Sequence, residues 1–166
     1  MNGTIEILCR AMDFNRQRTL DLLDRAAKST DPAMAFGWRP GPGRAHVAWQ
    51  LMHVGVTELI FASERLAPDK EHVMEEFWER FRGGSVVDDD IPSVDTIRQV
   101  LDTGRSELRA TLADFSDDDL GHIPSALQER KLTLLDVLHI LCFHESHHHG
   151  QAHLTLNLFD AQFKKA

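Results

Sequence analysis

Apolar residues recur at helical spacing along four long stretches of this chain, and no stretch alternates with a period of two. A core for such a chain is built by packing helix against helix. The first stretch runs from Thr4 to about Ala27 through Ile5, Leu8, Met12, Thr19, Leu22 and Ala26, with arginines and aspartates on the other face. Breakers at Thr30-Asp31-Pro32 and from Gly37 to Gly43 predict a loop. A second helix is expected from about Arg44 to Leu66, with a stripe of Trp49, Met52, Val56, Ile60 and Ser63, ended by Pro68. A short helix is allowed between Glu71 and Arg82, and the acidic run Asp88-Asp89-Asp90 reads as a solvated connection. Ser93 is an N-cap for a third helix carrying Ile97, Leu101, Leu108, Leu112 and Phe115. After a polar bend from Ser116 to Arg130, Thr133 with Asp136 forms a capping box that starts a fourth helix reaching about Phe159. The expected fold is all-α, a four-helix bundle with long crossover connections, in a single domain over residues 1–166.

At this length a chain can bury a full core without disulfides. The two cysteines, Cys9 and Cys142, lie far apart on predicted apolar faces and read as buried thiols of a reducing compartment. A formal charge of -8 argues against nucleic acid and against an anionic membrane surface as partners. Small molecules fit better, with a homodimer left open. Neither a transmembrane stretch nor a signal peptide is recognisable, which predicts a cytoplasmic protein.

Five of the ten histidines fall between positions 144 and 153 of the fourth helix. Neutral imidazole is the commonest protein ligand for transition metals, and histidines four apart share one helix face. On a helical wheel His148 lies within about 40° of the apolar centre and His144 at its edge. His149 with His153 forms a rival pair on the opposite edge, and His147 points to solvent. Two histidines leave a catalytic zinc site short of its usual third protein ligand. His53, at the edge of the second helix's stripe, can supply it. His46 stands too far along that helix to share the ion, and with His72, His122 and His139 it is assigned a surface or capping role.

The run from His144 to His148 also spells H-E-x-x-H, in which a glutamate serves a zinc protease as general base. Here Gly150 and His153 miss the extended register by one, no glutamate follows Glu145, and no strand offers an edge for a peptide. A di-iron carboxylate site requires a second Glu-x-x-His motif, but Gln50-Leu51-Met52-His53 has glutamine in the glutamate's place.

Trp49 and His53 in the second helix, with His144, His148, Gly150 and Gln151 in the last helix after Thr133-Leu134-Leu135-Asp136, resemble the DinB/YfiT-like metal-binding superfamily over nearly the whole chain. The resemblance implies a four-helix bundle in which His53, His144 and His148 hold one divalent ion, commonly zinc or nickel. It also implies kinship with transferases that use low-molecular-weight thiols such as bacillithiol or mycothiol. Relatives often carry a serine where this chain reads Gly43-Arg44-Ala45-His46.

Three neutral histidines leave an ion positively charged and open to a thiol cosubstrate or to water. A thiol-dependent transfer to a small electrophile is the leading expectation. A hydrolase using metal-bound water and a non-catalytic metal-stabilised binding protein are the alternatives. Neither cysteine is placed as nucleophile. Glu145 falls near the middle of the apolar stripe, where an unpaired carboxylate is costly. It is expected to accept a hydrogen bond from an imidazole or to act as a base, with a salt bridge to an arginine of another helix as the alternative.

Overall fold

The computed structural model describes residues 3–163, and among them it contains helices and connections but no strand. Helix α1 spans Thr4–Ala27, as its periodicity predicts. The expected loop after it holds a short helix, α2, at Pro32–Gly37. Asp31 and Pro32, read as breakers, instead start this helix: the Asp31 carboxylate accepts from the Met34 N–H, and proline suits the first helical position.

Helix α3 covers Val47–Ile60 and runs on as a π-helical turn through Phe61–Arg65. It begins three residues later than the predicted Arg44, because His46 is its N-cap. A 3-10 turn at Glu75–Phe77 leads into α4, Trp78–Phe81. Helix α5 spans Val94–Leu112, with the Ser93 hydroxyl accepting from the Thr96 N–H at 3.1 Å. Helix α6 runs from Leu134 to Phe163. Its start is the predicted capping box, with Asp136 accepting from the Thr133 N–H and the Thr133 hydroxyl accepting from the Asp136 N–H. No helix among the described residues is long and apolar enough to cross a membrane.

The core falls into two apolar clusters. One gathers Leu22, Leu23, Leu51, Met52, Ile97, Leu101, Leu156 and Phe159; the other gathers Met12, Leu108, Leu112, Leu134, Leu138 and Leu141. Between them lies a ring of charge with one residue from each long helix. Arg16 of α1 donates to Glu145 of α6 at 2.8 Å and to Glu58 of α3 at 2.7 Å, and Arg105 of α5 donates to both carboxylates at 2.6 Å. Arg16 also reaches the Leu101 carbonyl, and Arg105 reaches Asp13. Burial alone works to lower the Arg105 pKa, but Glu58 and Glu145 reverse this and raise it. Two arginines and two glutamates balance, so each of these four buried charges has a partner. Arg16, assigned by periodicity to a polar outer face, is thus part of the interior.

Helices α3 and α5 cross in close contact at Gly55 and Gly104. A Cβ at Gly104 would stand 2.6 Å from the Gly55 carbonyl oxygen, and one at Gly55 would stand 2.7 Å from that of Val100. This tight crossing sets how α3 presents His53, which lies two residues before it.

Candidate metal centre

His144 and His148 sit one turn apart on α6, and α3 brings His53 to them from across the bundle. One ring nitrogen from each lies within 4.8 Å of the other two. The His53 and His144 Nε2 atoms are 3.0 Å apart. An ion held at about 2.1 Å by two ligands at tetrahedral or octahedral angles requires a nitrogen separation of about 3.0 to 3.4 Å. The three-imidazole donor set suits a divalent ion, and the His53–His144 spacing falls in that range.

Partners behind the rings fix how they point. The His53 Nδ1 lies 2.6 Å from the Phe81 carbonyl oxygen, which can only accept, so the ring proton is on Nδ1 and the Nε2 lone pair is free. The His148 Nδ1 donates likewise to the side-chain oxygen of Gln50, leaving its Nε2 for the site. Trp49 stacks on His53 with ring centroids 4.7 Å apart and planes 14° from parallel, closing one side.

The same packing keeps the imidazoles neutral. Burial holds His53 below the usual imidazole range. Burial, helped by His53 and His147, pushes His144 down to about 3. Burial with His144, His53 and His147 nearby pushes His148 down to about 3 as well. Neutral imidazole is the form that binds metal, so these groups are ready ligands near pH 7.

Beside the triad opens a cavity of about 830 Å³, whose walls include Trp49, Gln50, Gln151, Leu154 and Leu158. None of the three histidines lines it; it meets the cluster through Trp49, which stacks on His53, and Gln50, which is bonded to His148. The opposite wall is the segment Pro40–Ala45 with Ser85 and Val87. This wall is pinned in place. His46 is 1% exposed; its Nδ1 accepts from the Trp49 N–H at 3.0 Å, and its Nε2 donates to the Asp88 carbonyl at 2.9 Å. The acidic run read as a solvated connection is thereby tied to the start of α3. Its carboxylates face solvent but pair with Arg39 and Arg80.

Glu145 is placed elsewhere than beside the imidazoles. It is 1% exposed, and its two oxygens are taken by Arg16 and Arg105 in the interhelical ring. Of the arrangements open to it, the salt bridge to arginines of other helices is the one found. The expectation of an imidazole partner is corrected accordingly: adjacency to His144 in sequence turns Glu145 about 100° round the helix, into the core.

The rival pair, His149 and His153, stacks at 5.9 Å between centroids, without a third ligand among the described residues. His147 is exposed, as predicted. Both cysteine thiols have their pKa raised by burial, which suits packing and not nucleophilic attack.

Sequence reasoning missed the role of Gln50, which registered only as an absent glutamate. Its position three residues before His53, on one face of α3, was the available signal. The Phe81 carbonyl leaves no such trace, since a backbone acceptor has no side-chain signature.

A sequence profile of the DinB superfamily matches residues 11–152, and the chain belongs to that superfamily. No curated protein and no solved structure matches it at a significant level.

Proposed function

We propose that this DinB-superfamily chain is a divalent-metal enzyme in which His53, His144 and His148 hold one ion, zinc or nickel, and a low-molecular-weight thiol is transferred to a small electrophile. The observation that carries the proposal is the convergence of three neutral imidazoles, two of them braced from behind, next to an open cavity. A purely structural ion would more commonly be enclosed by four protein ligands. When bound, the ion would supply the charge that lowers the pKa of a coordinated thiol. The chain's own residues do the rest. Phe81 and Gln50 hold the ligand rings, Trp49 shields His53, and Leu154 and Leu158 give the electrophile an apolar wall.

Cavity size supports two small reactants meeting there, since pockets for drug-sized ligands measure about 300 to 1,000 Å³. The hydrolase alternative with Glu145 as base has no comparable support, because that carboxylate is committed to two arginines.

The test is a panel of thiols with 1-chloro-2,4-dinitrobenzene, run on zinc-loaded, nickel-loaded and metal-stripped protein. Turnover forms a carbon–sulfur bond, expels chloride and releases the thiol proton. We expect transfer that needs both thiol and metal and that His148→Ala abolishes. Rates unchanged by stripping the metal would defeat the proposal.

A further inference from the structure

Among the described residues, Arg44 is the one charged side chain lining the cavity beside the histidine cluster. It is exposed and, among the described residues, has no ion pair or side-chain hydrogen bond. That is unexpected beside so much acid. The chain carries a formal charge of -8, and Asp88, Asp89 and Asp90 lie on the strap that forms the neighbouring wall. Those carboxylates are answered instead by Arg39 and Arg80, at 2.6 to 2.8 Å. The strap is thus neutralised without Arg44, whose charge is left facing the cavity rim.

The backbone beneath Arg44 is held. Pro40 and Pro42 restrict it, Gly43 adopts a φ of 69° that other residues rarely take, and the Arg44 N–H donates to the Gly41 carbonyl at 3.2 Å. The next turn of chain is the start of α3, whose dipole adds partial positive charge at the same rim. Apolar walls from Leu154, Leu158 and Val87 complete a site suited to an apolar body with an anionic end.

We infer that the cavity takes a carboxylate-bearing small molecule, with Arg44 reading the carboxylate while the rest of the ligand reaches toward the histidine cluster. This rests on the transferase proposal for calling the ligand a substrate. The carboxylate can belong to the thiol or to the electrophile, and guanidinium chemistry suits both equally.

Two matched pairs separate these sources: 4-mercaptobenzoate against 4-mercaptobenzamide, and 4-chloro-3-nitrobenzoate against 4-chloro-3-nitrobenzamide. Binding is measured by ligand-observed NMR on metal-loaded and metal-free protein, with Arg44→Gln and Arg44→Lys as variants. In at least one pair the carboxylate should bind about tenfold tighter than the amide, as for one charge-assisted contact. Arg44→Gln should remove the preference, Arg44→Lys should keep part of it, and added salt should weaken it. The pair that discriminates identifies the carrier. Equal affinities within both pairs, no binding by any of the four, or a preference that survives Arg44→Gln would overturn the inference. Because the readout is binding, including to metal-free protein, failure of transfer activity leaves it separately decidable.

Discussion

Replacing Glu145 by glutamine preserves shape and deletes one charge, which makes it a sharp probe of what this residue does. In the native ring its oxygens receive Arg16 at 2.8 Å and Arg105 at 2.6 Å, with Glu58 completing the balance. The glutamine would turn an amide NH2, a donor, toward a guanidinium that can only donate. Two buried arginines would then share one buried carboxylate, helped by the Leu101 carbonyl and by Asp13, whose side chain is 48% exposed. Breaking a buried ion pair from one side costs roughly 3 to 5 kcal/mol, and Asp13 places the expected loss near the lower end. At about 2 to 4 °C per kcal/mol for a chain of this size, Tm should fall by about 6 to 12 °C. The assay is paired thermal and urea unfolding of metal-free wild type and variant, with a metal titration of each. We expect a large stability loss and near-native metal affinity in the folded variant. A catalytic base would give the reverse, with stability kept and turnover down by about 10²- to 10⁴-fold. A Tm within 2 °C of wild type would refute the ring as an energetic element.

Three further outcomes follow from the same geometry. Gln50→Ala removes the acceptor that orients His148, and metal affinity measured against a competing chelator should fall about 10- to 100-fold. Because His46, His53, His144 and His148 all have folded pKa values below the ordinary 6.5, the unfolded chain binds more protons just under that pH. Stability of the metal-free protein should thus be flat above about pH 7 in this respect and fall as pH drops from 6.5 toward 3, which urea midpoints across that window will show. Gly104→Ala drives a methyl to 2.6 Å from the Gly55 carbonyl, and the overpacked α3–α5 crossing should lose about 1 to 3 kcal/mol in urea unfolding.

The elements legible in the sequence were those whose signals are local. Periodicity marked α1 from Thr4 to Ala27, and the Thr133–Asp136 box marked the start of α6. The histidine cluster was legible for a related reason. Spacing of four put His144 and His148 on one face, and His53 was the histidine on the second helix able to face them. What stayed hidden depends on partners distant in sequence. Arg16 was grouped with the outer-face arginines of the first helix, and only the bundle brings it and Arg105 to Glu145 and Glu58. Asp31-Pro32 carried two opposite local meanings, breaker and helix start, which the chain resolved in favour of α2. The acidic strap looked solvated because its tether to His46 is made by a backbone carbonyl.

X-ray absorption at the metal edge of zinc- or nickel-loaded protein tests the central claim most directly. Multiple-scattering analysis should require three imidazoles per ion at about 2.0 to 2.1 Å for zinc, plus an exchangeable lighter ligand, with the imidazole count reduced in His53→Ala. A first shell with one imidazole or none, or a spectrum identical in His53→Ala, would contradict a site built jointly by α3 and α6.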